Sequence, residues 1–418
     1  MSNPTPAAAS PGFIAEGFAR DLVPDSELGG GYRVFFIVAG ALCGLPAFVL
    51  AAQVVNRLGF AQARWTFLVG GLLSGTLGAL SAYAGARTRI NLAMLADEAF
   101  GAAGGRVVKT VIALSLIGWV GVIHGVWGIN IESQWIAIAA AVAVAAITLR
   151  GVSGLEYIGM VIGPLLCGLL AWTLHEGCPS ALAVHQAVPN PGEPLGFGAA
   201  VSAVVGEYVV GIVIQPDYGR FVRRPVHAGI ASGLALGAAF PAILVLSAMP
   251  PFRCSAPDLI AVMVAMGIGL PALALVVLGA WTDAAACLYS GSLSLTNEVK
   301  AFSLPWVTVC AAAAGCVFAV LHAERQFMPF LALLGITFPP VAAINILHVM
   351  FQRRSSHSPN PVNPVPGVRL AALLSWVCGS AVGYASAHDS IHVTGTASID
   401  TILAAAVVWA LCKGAAGE

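Results

Sequence analysis

Long apolar runs, separated by short polar joints, fill the chain from about residue 33 to near its end. A helix that crosses a membrane needs about 20 mostly apolar residues. Twelve runs fit that pattern: 33–56, 65–86, 106–129, 133–149, 155–174, 197–216, 227–249, 268–294, 302–321, 328–350, 367–387 and 396–413. A short external helix is expected at 255–267. The longest loop, 175–195, carries Pro189, Pro191 and Pro194 and no basic residue. Residues 1–30 are polar and rich in Pro, Ala and Gly, without the basic start and apolar run of a secretory signal. They read as an N-terminal tail on the cytoplasmic side.

Composition supports this map. Hydrophobic residues make up 58% of the 418 and charged residues only 9%, against about 25% charged in soluble domains. So much apolar surface needs lipid as its solvent, and the chain reads as an all-α polytopic membrane protein. Net charge is zero, so no nucleic-acid partner is implied. The nine cysteines are scattered without a C-x-x-C pair and read as small apolar residues in helices.

The Lys/Arg distribution fixes the expected orientation. With a cytoplasmic N-terminus, fifteen cations fall inside: Arg20, Arg33, Arg87, Arg89, Arg106, Lys109, Arg150, Arg220, Arg223, Arg224, Lys300, Arg353, Arg354, Arg369 and Lys413. Four fall outside: Arg57, Arg64, Arg253 and Arg325. A missed or invented span in the middle would scramble this bias, so both termini are expected in the cytoplasm, in a cell inner membrane.

Interrupted membrane helices free backbone groups that can hold ligands. The first span places Gly40, Gly44 and Pro46 near mid-membrane. In the sixth, Gly206 and Gly211 bracket Glu207 and Tyr208. A break is expected in both. The plain alternative is glycine used for close helix packing. The two spans lie five apart, the layout of a five-plus-five inverted repeat. The expected divisions are a ten-helix core at 31–350, a cytoplasmic linker at 351–366, and two additional helices with a short tail at 367–418.

Ionisable groups inside a bilayer are costly and tend to be functional. Glu207 and Asp283 lie near mid-depth of the sixth and eighth spans, which points to a cation, a proton relay or a cationic substrate. The alternative is a neutral acid bonded to a neighbouring helix. Asp217, followed by Arg220, Arg223 and Arg224, reads as a cap or ion pair at the membrane edge. Gly279, Thr282 and Asp283 share one helix face and offer an oxygen cluster for a monovalent cation. Trp119, flanked by Gly118 and Gly121, presents a ring near mid-membrane. His124, one turn on, reads as a structural hydrogen-bonder.

Several segments together resemble the nucleobase–cation symporter family of purine/cytosine permeases, in its bacterial cytosine-permease branch. They are Ile117-Gly-Trp-Val-Gly121, Val204-Val-Gly-Glu-Tyr208 running to Asp217-Tyr-Gly-Arg-Phe221, Trp281-Thr running to Leu288-Tyr-Ser290, and Phe338-Pro-Pro-Val341. The resemblance implies a leucine-transporter-like fold, with ten core helices in two inverted repeats plus two more. It implies uptake of a small heterocycle coupled to Na+ or H+, with no cofactor. It places Trp119 and Tyr208 on either side of the substrate, with Glu207, Val210 and Ala284 beside it. It also places the coupling ion at Cys43, Gly44, Pro46, Gly279, Thr282 and Asp283, with Gly279, Thr282 and Asp283 as sodium ligands if sodium is the ion.

The chain departs from the family pattern at Leu116, Val210, Asp283 and Ala284–Ala286, where polar groups are expected, and it gains Glu207. These changes loosen cytosine itself as the substrate. The function expected is cation symport of a nucleobase-like or aminopyrimidine-like heterocycle by alternating access, for which a monomer in lipid suffices. An amine or amino-acid-like substrate on the same fold is the alternative. A membrane enzyme or sensor would need a clustered metal or nucleophile set, and a channel would need a repeated pore lining. Phe338-Pro-Pro-Val341 reads either as a flexing gate or as a static kink.

Overall fold

The computed structural model describes residues 22–130, 134–149, 155–178, 195–298, 302–321, 323–352, 366–391 and 393–416. The first span is α1 (Tyr32–Leu42) and α2 (Leu45–Leu58), bent by 59° at Cys43–Gly44. Then come α3 (Phe60–Thr88), α4 (Leu92–Asn130), α5 (Gln134–Thr148) and α6 (Leu155–Glu176). The sixth span is α7 (Phe197–Val213) with α8 (Gln215–Gly219). The seventh is α9 (Pro225–Leu234) joined through a π turn to α10 (Phe240–Cys254). The short α11 (Leu259–Ala265) follows, then α12 (Gly269–Glu298) and α13 (Leu304–Val320). The tenth span is α14 (Phe327–Thr337) with α15 (Pro339–Leu347), and the chain closes with α16 (Leu370–Ala387) and α17 (Ala397–Ala416).

Each of the twelve expected runs falls on helix. By length and composition, five helices among the described residues are apolar enough to cross a membrane, or six when the bent α1–α2 pair is one span. Helix starts follow local chemistry. The Asn91 side chain accepts the Met94 N–H at 2.8 Å, and Asp258 accepts that of Ala261 at 2.8 Å, each tying up a donor that the first turn leaves orphaned. Within α4, Gly101 has φ +77° and interrupts the helix. The segment before α16 staples that interruption: Ala103 donates to the Gly367 carbonyl at 2.9 Å and Arg369 to that of Phe100 at 2.8 Å.

The helices pack in two groups. One joins α2, α3, α7, α9 and α10; the other joins α4, α5, α12 and α13. Packing of α1 and α12 on α6, and of α14 on α7, links them. At the ends of α4 and α12, Lys109 bridges Asp97 at 2.9 Å and Glu298 at 2.7 Å, and Arg106 reaches Glu298 at 3.1 Å.

Two sequence expectations change. The sixth span does not break around Glu207. α7 runs unbroken through Gly206 and Gly211, and the turn comes at Ile214 (φ −84°, ψ 1°), just before Pro216 starts α8. Gly206 serves packing instead: a methyl group there would run into the Leu331 carbonyl of α14. Second, Cys178 and Cys254 are not packing residues but a disulfide, joining the segment after α6 to the end of α10. Residues 22–31 are tied to the helices. Gly29 donates to the Phe221 carbonyl at 2.8 Å, Arg223 donates to Gly29 at 3.1 Å, and Arg89 pairs with Asp25 at 2.8 Å. Asp217 caps as expected, although its partner is distant in sequence, the Leu92 N–H at 2.7 Å.

The tenth span kinks at Phe338. Pro340 has no N–H to offer the Ile336 carbonyl, and the Thr401 hydroxyl of α17 donates to that carbonyl at 2.9 Å. The Trp376 indole of α16 donates to the neighbouring Thr337 carbonyl at 2.8 Å. The two C-terminal helices therefore satisfy the backbone at this kink.

Candidate functional site

A cavity of about 70 Å³ lies at the seam between the two helix groups, several times the space that one water needs. Its wall comes from Ala41 of α1, from Ser115, Leu116 and Trp119 of α4, and from Glu207, Tyr208, Val210 and Gly211 of α7. Ile214, Tyr218 of α8, Asp283, Ala286, Cys287 and Ser290 of α12, and Leu334 of α14 complete it. Helix geometry explains this membership. Residues 283, 286, 287 and 290 lie at i, i+3, i+4 and i+7 and share one face of α12, as 115, 116 and 119 do on α4.

Trp119 is 8% exposed. Its indole N–H donates to Asp283 Oδ2 at 3.3 Å, joining α4 to α12 across the cavity wall. Its ring also stacks against Phe330 of α14, with centroids 5.7 Å apart and planes 29° apart, and against Phe327 at 6.1 Å. The other Asp283 oxygen accepts from the Cys287 thiol at 3.8 Å, one helical turn on. Glu207 is 9% exposed, and among the described residues its Oε2 has no hydrogen-bond partner. Gly211 makes room for Tyr208, since a methyl group at Gly211 would lie 2.5 Å from the Tyr208 ring. Three aromatic residues, Trp119, Tyr208 and Tyr218, and two carboxylates thus line one small space whose described wall holds no Lys, Arg or His.

The structure brings together five of the candidate site residues, Trp119, Glu207, Tyr208, Val210 and Asp283, together with Leu116 and Ala286, named above as departures from the family pattern. Ala284 is not among them. It is fully buried and lies off the cavity, one helix step from Asp283, while Ala286 and Cys287 occupy the facing positions. Cys43, Gly44 and Pro46 form the α1–α2 break and do not line the cavity, although Ala41 just before them does. The side chains of Gly279 and Thr282 lie outside the described residues. Asp283 was grouped with the cation ligands, and its carboxylate lines the cavity beside Trp119. His124 is buried in α4 off the cavity. Ser115, Ile214, Cys287, Ser290 and Leu334 were not singled out. Ser115 lies four residues before Trp119, and Cys287 and Ser290 lie four and seven after Asp283, so helical spacing carried the signal for these three. Among the described residues, no group of three or more His, Cys, Asp or Glu side chains is placed to hold a metal ion.

Comparison with known proteins identifies the fold. Mhp1, a nucleobase-cation-symport-1 family transporter in a closed conformation with bromovinylhydantoin bound, superposes with a TM-score of 0.76 at 16% identity, over 95% of this chain and 94% of that one. Its inward-facing conformation gives 0.70 at 17% identity, over 95% and 96%. A Na+-coupled sialic acid symporter in a substrate-bound outward-open state gives 0.66 at 12% identity, over 96% and 93%. The fold is therefore the leucine-transporter-like fold of membrane transporters. In sequence, the cytosine permease of Escherichia coli (strain K12) is 24% identical over 377 residues, 88% of each chain. The family model described as "Permease for cytosine/purines, uracil, thiamine, allantoin" matches residues 23–405, nearly the whole chain, and the protein belongs to that family of permeases.

Proposed function

We propose that this permease imports a small planar heterocycle of the nucleobase type together with a cation, by alternating access. One observation carries the reading: the cavity at the seam between two helix groups is walled by Trp119, Tyr208, Glu207 and Asp283. Aromatic faces suit a planar ring, and such pairs contribute about 1 kcal/mol beyond burial. Carboxylates suit its N–H edge. A site between two packed groups becomes accessible from either side when one group rocks against the other. The similar proteins are a cytosine permease and a transporter with a hydantoin bound.

For the coupling ion, the Thr282 hydroxyl, the Gly279 carbonyl and the carbonyls freed at the Cys43–Gly44 break are the proposed ligands. Asp283 joins the substrate wall, since its two oxygens meet Trp119 and Cys287. Twelve spans with both termini in the cytoplasm of an inner membrane fit the fifteen-to-four Lys/Arg bias. The Cys178–Cys254 bridge fits too, because it lies on the face assigned to the outside, where the compartment is oxidising.

The test is uptake into proteoliposomes of a panel of radiolabelled nucleobases, aminopyrimidines and hydantoins, with sodium and pH gradients imposed separately. Accumulation of at least one ring, dependent on one gradient, is the expected result. If no ring is taken up under either gradient, the reading is wrong. Thr282→Ala should weaken ion dependence with substrate binding in saturating sodium retained.

A further inference from the structure

The charge of the cavity carries the argument one step further, and this step rests on the cavity being the substrate site. Two acids, Glu207 and Asp283, face the space, and the described wall offers no cationic side chain. Asp283 has two donors in contact, the Trp119 indole and the Cys287 thiol. Glu207 is nine-tenths buried, and among the described residues its Oε2 is without a partner. A buried carboxylate oxygen left in this way is costly unless a ligand supplies a donor. The wall also holds three aromatic side chains, Trp119, Tyr208 and Tyr218, and aromatic π faces attract a cation when both are desolvated. A bare monovalent metal ion prefers a shell of oxygens to aromatic walls. An acceptor-rich, aromatic cavity is therefore complementary to an organic cation.

We propose that this permease selects planar heterocycles that carry a positive charge, with the ring against Trp119 and Tyr208 and a charged N–H edge on Glu207. Neutral nucleobases then become the weaker ligands. Asp283, held by Trp119, supplies the second half of the counter-charge and keeps the indole plane in place.

A matched pair of rings tests the assignment on the purified full-length protein in lipid nanodiscs. 4-Aminopyridine is protonated at neutral pH, whereas 4-aminopyrimidine has nearly the same outline and is neutral. Titration calorimetry, with and without sodium, should show the charged ring binding about tenfold tighter or more, as expected when a charge-assisted hydrogen bond replaces a neutral one. Glu207→Gln should abolish most of that preference. Glu207→Asp keeps the charge and should retain the preference, which separates charge from misfolding. Equal or tighter binding of the neutral ring overturns the charge assignment and leaves the heterocycle transporter standing. So does a preference that Glu207→Gln does not change. Neutral-ring binding that appears only with sodium also overturns it, because the carboxylates would then serve the coupling ion. If neither ring binds and no nucleobase binds, the charge assignment and the transport reading fall together.

Discussion

The first and sixth spans carry glycines at matched places, yet the two spans are built differently. In the first, the helix stops at Leu42, Gly44 is extended (φ −103°, ψ 162°), and a new helix starts at Leu45 with Pro46 in its first turn. In the sixth, the helix passes straight through Gly206 and Gly211 and turns only at Ile214. The space around the two glycines differs as well. A methyl group at Gly44 would meet Pro46 Cδ at 3.4 Å and the Ala41 carbonyl at 3.5 Å, which is ordinary contact. At Gly206 it would run into backbone, the Leu331 carbonyl of α14. One glycine stands at an open break and the other at a close crossing of helices. Glu207 and Tyr208 consequently ride on a rigid helix, not on loosened backbone.

Four substitutions test this contrast and the kink of the tenth span. Gly206→Ala has the largest expected effect. It forces α7 from α14 and should destabilise the fold by about 3 kcal/mol, at the upper end for overpacking, seen as a lower melting temperature and a smaller monodisperse fraction. If this variant folds and melts like the parent, the tight crossing is wrong. Gly211→Ala comes next. It pushes the Tyr208 ring off its seat, so affinity for the transported ring should fall about tenfold, while the melting temperature changes little. Trp376→Phe leaves the Thr337 carbonyl at the tenth-span kink without its indole donor, at about 1 kcal/mol, measurable as a modest melting shift. Gly44→Ala is the smallest, with a stability change under about 1 kcal/mol, since its backbone is extended and its surroundings are open. A large loss of uptake with stability unchanged would show that the first break must flex during the cycle.

Much of the fold was legible because lipid imposes a simple code. Apolar runs long enough to span, and cations biased to one side, gave the order of helices that the structure shows. The cavity was partly legible as well: Trp119, Glu207, Tyr208, Val210 and Asp283, each named from the sequence, line it together. The misses have physical causes. Glycine marks either a break or a tight crossing, and its own letter does not say which. The better signal in the sixth span was Pro216, because the residue before a proline is pushed out of helical conformation. Ala284 was placed beside the substrate by the resemblance, whereas Ala286 and Cys287 share the Asp283 face through the three- and four-residue step. Cys178 and Cys254 looked solitary because their partnership depends on helices six to seven returning to one end of the bundle, a fact of topology that spacing does not reveal.

The Cys178–Cys254 bridge has a consequence for how the molecule is put together. The two cysteines are 76 residues apart, and everything from α7 to α10 lies between them. Once oxidised, that stretch is a closed covalent ring threaded through the lipid, and Glu207 and Tyr208 are carried on it. The sixth and seventh spans then cannot be drawn out of the bundle separately, as with a purse whose cord is tied. Glu207 and Tyr208 are thereby tied into one covalent unit with the seventh span, and that unit closes only where the two thiols meet an oxidant.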